Sequence, residues 1–234
     1  MPDLFREGTL EMSTTPLPAP EMVARWGDCG MNRFYLIVLL VLLLASIRDL
    51  LFIFPHLLRC FTRWKGNMEL EHALSIARTR NGITAVMLLA FFVVADRWTL
   101  VSPSFIRELA PGWHVLAVGG LFLAYLLLRR IIYMATPYRS RSWEFAVTLR
   151  NCVRNYIILM VALMLVSVVV LLAFRASDSF VHGVLLVEAF FFCAVHILRS
   201  GQILGSRCGS FATILYLCAL EILPLGILLF LCTL

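Results

Sequence analysis

The chain has 234 residues and a mean hydropathy of +0.90, with 61% of its residues hydrophobic and only 15% charged. A soluble domain carries about a quarter charged residues, so an ordinary soluble fold, with a soluble catalytic domain, is excluded. The formal net charge of +6 rests almost wholly on arginine, with Lys65 the one lysine. These arginines flank apolar blocks instead of forming a patch on a folded surface, which argues for membrane topology and against nucleic acid.

Residues 1–32 are polar and include "STTPLPAPEM". They lack a basic start, a short apolar stretch and a cleavage site, so they do not read as a signal peptide. They are expected to form a flexible tail, with residues 33–234 as one transmembrane domain.

Six apolar blocks follow: Phe34 to Leu57, Ile83 to Val101, Trp113 to Met134, Tyr156 to Phe174, Phe180 to Leu198, and Phe211 to the C-terminus. Blocks of roughly twenty residues match about 30 Å of hydrocarbon. Backbone groups in lipid must satisfy one another, so such blocks are helices unless they close a barrel. Barrel strands would alternate in polarity, and these do not. The expected fold is therefore an all-α, polytopic bundle of about six spans. Trp98, Trp113, Tyr133 and Tyr156 lie near span ends, as interfacial aromatics do.

Basic residues are unevenly divided between the two sides. The connections after spans one, three and five carry 13 Arg and Lys, and the opposite side carries 6. The positive-inside rule places the richer side in the cytoplasm and both termini outside.

Two cytoplasmic connections have helical patterning. Residues 66–82, "GNMELEHALSIARTRNG", bring Leu70, Leu74 and Ala77 to one face. Residues 139–156, "RSRSWEFAVTLRNCVRNY", place Phe145, Leu149, Cys152 and Tyr156 together. The second fits either a basic surface helix, with Arg139, Arg141, Arg150 and Arg154 on anionic headgroups, or an extension of span four. Seven cysteines are scattered without a CxxC, so no zinc site or disulfide framework is indicated. Cys193, Cys218 and Cys232 read as small buried hydrophobes.

Ionisable groups at membrane depth are few: Arg48 and Asp49 in span one, Arg129 and Arg130 in span three, Glu188 and His196 in span five, Glu221 in span six. Each costs about 2.5–3.5 kcal/mol near mid-bilayer on insertion scales, so each needs a partner or a wet cavity. Glu221 and Glu188 invite three readings: an interhelical hydrogen bond or ion pair with Arg48, a proton or ion pathway, or contact with a partner subunit. Arg129 and Arg130, near a span end, would ordinarily snorkel to headgroups. Arg48 and Asp49, neighbours on one helix, point about 100° apart and address two different partners. Pro224 lacks an N–H and should kink the last helix beside Glu221.

His182 and His196 are fourteen apart on span five and fall on nearly one face. With His114 and His56 on other spans, they form a conceivable set of ligands for b-type haem. No phosphate-binding loop, nucleophile elbow or H-E-x-x-H occurs, and Ser46 and Ser167 have no evident base. "AVGGLFLA" (117–124) is rich in small residues and permits close helix approach.

The final stretch, "ILYLCALEILPLGILL", resembles the C-terminal signature of the DUF4271 family of Bacteroidota membrane proteins, through its tyrosine, its Cys-Ala and Leu-Glu-Ile-Leu-Pro at 220–224. "YLLLRRIIY" (125–133) and the basic connection into span four agree in layout. The resemblance implies an integral inner-membrane protein of a Gram-negative bacterium, without an assigned activity or a recognised catalytic motif; from the residues themselves no metal and no cofactor is expected beyond the haem alternative. The leading expectation is a non-enzymatic subunit or scaffold of a larger envelope complex. The alternatives are a small proton-coupled transporter or channel using Glu188 and Glu221, and a membrane haem protein.

Overall fold

A computed structural model describes residues 26–101, 103–135, 143–206 and 209–233. Arg139 and Arg141, expected on headgroups, lie outside these residues, as does the side chain of Arg150. A 3-10 turn at Trp26–Asp28 leads into α1 (Gly30–Thr62), α2 (Trp64–His72), α3 (Leu74–Arg97) and the single turn α4 (Ser104–Arg107). A 3-10 turn at Pro111–Trp113 precedes α5 (His114–Ala135), which is followed by α6 (Trp143–Ala173), α7 (Asp178–Gly205) and α8 (Ser210–Leu217). A π turn at Cys218–Ile222 then passes into α9 (Leu223–Thr233).

The helices α1, α3, α5, α6 and α7 are each long and apolar enough to cross a membrane. The sixth apolar block is helical throughout 210–233, but the π turn divides it into two shorter helices. The chain is thus an all-α, multi-pass membrane protein, as its hydropathy requires.

Helix α3 is the least apolar of the five spans and the most enclosed, with 61% of its most apolar window buried against 11% for α1. The two facts have one cause: a helix carrying Arg80, Thr84 and Asp96 must turn those side chains inward, while a Leu-rich helix can face lipid. Ile83, Met87, Ala90 and Val94, at helical spacing, are buried on α3, and Leu149, Ile158, Val161 and Met164 on α6. Helix α1 contributes Ile53, Leu57 and Cys60 from its second half. Its last turn is held by Arg199 of α7, whose Nη2 donates to the carbonyls of Phe61 at 2.8 Å and Thr62 at 3.1 Å, satisfying acceptors that a helix end otherwise leaves open.

Two glycines permit contacts that a Cβ would obstruct. At Gly66 it would stand 2.9 Å from the Arg59 carbonyl, so α2 lies directly on the α1 backbone. At Gly119, inside the small-residue stretch of α5, it would meet the Phe92 ring at 3.1 Å. Phe92 and Phe91 pack there around Phe122.

Several expectations need correction. Residues 26–32, assigned to the tail, are packed: the Trp26 indole donates to Asp96 at 2.6 Å, and Asn32 Nδ2 donates to the Trp26 carbonyl at 2.9 Å. The basic connection into span four is no separate surface helix, because α6 is continuous and Leu149, Cys152 and Tyr156 are buried in the bundle. Of the cysteines read as buried, Cys193 is half-buried and Cys218 exposed.

Helices α3 and α6 both end through a non-glycine residue in the left-handed region, Thr99 at φ 50° and Arg175 at φ 53°. Each closes a 6→1 bond, Leu100 N–H to Ala95 O and Ala176 N–H to Leu171 O, both 3.0 Å or shorter. Glycine suits that position because it has no Cβ to clash. Arg175 is exposed, so Arg175→Gly should stabilise the fold by about 0.5–1 kcal/mol; a higher midpoint in detergent thermal unfolding checks this, and an unchanged or lower one contradicts it.

Candidate functional site

Three of the membrane-depth residues singled out in the sequence converge. Glu221 is 3% exposed and sits inside the π turn. Its Oε1 accepts from Arg129 Nη2 and from the Tyr133 hydroxyl, each at 2.6 Å, and its Oε2 lies 3.0 Å from His196 Nε2. Arg129 and Tyr133 are four apart on α5 and so share a face, with the guanidinium carbon 5.0 Å from the tyrosine ring centroid. His196 comes from α7, and the Tyr156 ring of α6 packs on it at 5.5 Å. One carboxylate therefore joins α5, α7 and the last helical segment, with α6 as a wall.

The hydrogen-bond roles follow from chemistry. Arginine only donates, and a carboxylate only accepts. His196 must therefore present an N–H at Nε2 to Glu221, and the 3.3 Å approach of Arg129 Nη2 to that same nitrogen is a contact between two donors converging on one carboxylate. His196 Nδ1 and Arg129 Nε are buried with no protein partner among the described residues, and the nearby Ser200 hydroxyl has the Cys152 thiol beside it.

The π turn explains how Glu221 reaches this position. The Leu223 N–H bonds to Cys218 O, five residues back. This widened turn inserts a residue into the helix, and such bulges are frequent at functional sites. Pro224, buried and without an N–H, begins the next turn. The expected kink is thus a π turn combined with a proline, and Glu221 is carried inward on it.

The other predicted residues lie apart. Arg129 is 3% exposed and does not snorkel; Arg130 is exposed, as a headgroup-seeking arginine would be. Glu188 does not join Glu221 through any described contact, and instead accepts from the Ser167 hydroxyl, so the serine read as lacking a base has a carboxylate beside it. Glu188 Oε2 is buried without a partner. Arg48, expected to pair with one of the glutamates, is exposed, as is Asp49, and neither has a described partner. A side chain on the outward face of α1 cannot reach into the bundle.

The four histidines take separate places. His114 lies 2.8 Å from the Leu109 carbonyl through Nε2 and 3.7 Å from Asp96 through Nδ1. His182 Nδ1 lies 2.6 Å from the Trp98 carbonyl. His56 lines a small cleft with Arg59, Gly66 and Glu69, and His196 is committed to Glu221. Among the described residues, no three His, Cys, Asp or Glu side chains are grouped to hold a metal ion.

A second buried network went unread because 66–82 was taken as a polar connection. Arg80, 1% exposed, pairs with Glu71, whose other oxygen accepts from Asn151 Nδ2 at 3.1 Å. Asn155 Nδ2 donates to Asn67 at 2.8 Å, and the Tyr156 hydroxyl to Cys60 O at 3.1 Å. Asn151 and Asn155, four apart on α6, were the available signal: polar residues at helical spacing on an otherwise apolar face.

No family model matches the chain, and no curated protein or solved structure matches it. The fold and site define its class: a multi-pass helical membrane protein whose transverse packing is tied by a buried carboxylate.

Glu221→Ala should destabilise the bundle by about 3–5 kcal/mol, because it strands the Arg129 charge in a dry interior. Adding Arg129→Met to Glu221→Leu should recover a large part of that loss, since no charge then remains unpaired. Unfolding of the variants in detergent tests this; additive losses in the double variant would show that the two side chains are not coupled.

Proposed function

We propose that the chain is a non-enzymatic subunit or scaffold of a larger membrane assembly, with α1 as its docking helix. The observation that carries this reading is the exposure of Arg48 and Asp49 near the middle of α1. Around them the helix is apolar, with Leu44, Ile47 and Leu51 all more than half exposed. Lipid suits those side chains and not the charges, which are costly unless paired. Glu221 is paired with Arg129 and Glu188 accepts from Ser167, so neither turns toward Arg48 and the pair on α1 looks outward for company. A partner helix offering an acid to Arg48 and a base or hydrogen-bond donor to Asp49 supplies it, and the exposed leucines give that helix a packing surface.

The resemblance of the last segment to DUF4271 proteins supports an inner-membrane location in a Gram-negative bacterium. The excess of arginine after spans one, three and five supports a periplasmic N-terminus.

One observation favours a proton-coupled transporter or channel as a second reading: the buried, unpartnered Oε2 of Glu188. It is the weaker reading because Glu221, the other acid it requires, already holds three donors.

Purification of the tagged chain in mild detergent should yield a stoichiometric membrane partner, and Arg48→Leu with Asp49→Leu should abolish its recovery while leaving the chain's own yield and thermal midpoint within error. A wild-type chain that runs alone as a monomer, or a double variant that keeps the partner, overturns the reading. Proton flux in vesicles that is lost in Glu188→Gln would favour the transporter instead.

A further inference from the structure

A cleft of about 470 Å³ opens between α3, α5 and α6, with Arg129 and Tyr133 of the Glu221 cluster in its wall. We infer that this cleft is a binding site for an anionic phospholipid, with the headgroup phosphate at Arg130 and Arg154 and an acyl chain against the leucines below. Its volume falls in the range of small-molecule sites, about 300–1,000 Å³.

The polarity of its lining is graded in the same direction on all three helices. On α3, Asn81 and Thr84 precede Leu88 going into the span. On α6, Arg154 precedes Ile157. On α5, which runs the opposite way, Leu123, Leu126 and Leu127 precede Arg130 and Tyr133. At about 1.5 Å per residue, the polar and apolar ends are ~10 Å apart. Three independent helices thus build one amphipathic slot, polar toward the arginine-rich end of the bundle and hydrocarbon-like within it. A water-soluble anion would use only the first half, and a neutral lipid only the second.

The charge is also one-sided. Arg129, Arg130 and Arg154 all line the cleft, and among its described lining residues there is no aspartate or glutamate. Arg129 is neutralised from behind by Glu221, and its guanidinium is thereby fixed. Arg154 Nη1 donates to Asn81 Oδ1 at 2.9 Å, which positions its planar fork beside the cleft. Arg130 is exposed, within two turns of the end of α5, and no described residue pairs with it. Guanidinium groups match phosphate oxygens in a two-pronged geometry that a choline-type headgroup charge opposes. This site is independent of the α1 face and of the assembly proposed above.

Native mass spectrometry of the full chain in neutral detergent, titrated with phosphatidylglycerol or phosphatidylcholine, tests the inference. Phosphatidylglycerol should bind more tightly, Arg130→Gln should weaken it about five-fold, equivalent to ~1 kcal/mol, and Arg130→Lys, which keeps the charge without the two-pronged fork, should recover only part of the loss. Ala85 lines the cleft and is exposed, so Ala85→Phe should block lipid adducts without disturbing the core. Equal binding of the two lipids, or adducts insensitive to both Arg130→Gln and Ala85→Phe, overturns the proposal. Inorganic phosphate competing as well as the lipid would reassign the cleft to a soluble anion and overturn it equally.

Discussion

The arrangement of the bundle depends on one carboxylate with nowhere to be hydrated. Glu221 is the one charged residue on a mostly apolar helical segment, and three donors from two other helices meet it. In lipid, apolar faces gain little by choosing one neighbour over another, because the tails are as apolar as leucine. A buried ion pair does discriminate: it has one geometry, and mispairing leaves a charge bare. The pair therefore serves as a register mark, fixing which way the last segment is rotated and how deep it sits, while packing fills in around it.

That role accounts for the local backbone. A regular α-helix through 218–222 would rotate Glu221 by a fraction of a turn relative to the residues before it. The π turn inserts a residue, and Pro224 stops the bonding pattern from closing normally behind it. The helix gives up regularity where it carries its charge. The two unpartnered polar atoms beside the cluster, on His196 and Arg129, are consistent with that disturbed packing.

Much of this was legible in the residues. Hydropathy alone gives five of the spans and the sixth segment, since twenty apolar residues in a row have one solution in a bilayer. The apolar blocks place Arg129, His196 and Glu221 at membrane depth, where each needs a partner, and the three meet. Direction around the helix axis was not legible. Arg48 was matched to the glutamates because depth has one coordinate, whereas contact also needs azimuth, and α1 turns that residue outward. The Arg80–Glu71 pair was missed for the opposite reason. Its partners come from three helices, and α2 is too polar to count as a span, so nothing in local patterning marks it as interior. Residues 26–32 were read as tail because the bonds that fix them, to Asp96 and within their own turn, are either made across 70 positions of sequence or shorter than any periodicity.

The two kinds of charge in this protein are therefore doing different physical work. Arg129, Arg80, Glu71 and Glu221 lie inside, and the geometry accounts for each through a partner of opposite sign. Arg48 and Asp49 are of comparable depth along their helix but face outward with none. A chain that pairs these four charges inside its bundle and leaves two exposed on the helix with the least internal packing puts their cost where the bundle itself cannot remove it. The uneven enclosure of α3 and α1 is the same fact in apolar terms: the bundle is closed around α3 and left open along α1.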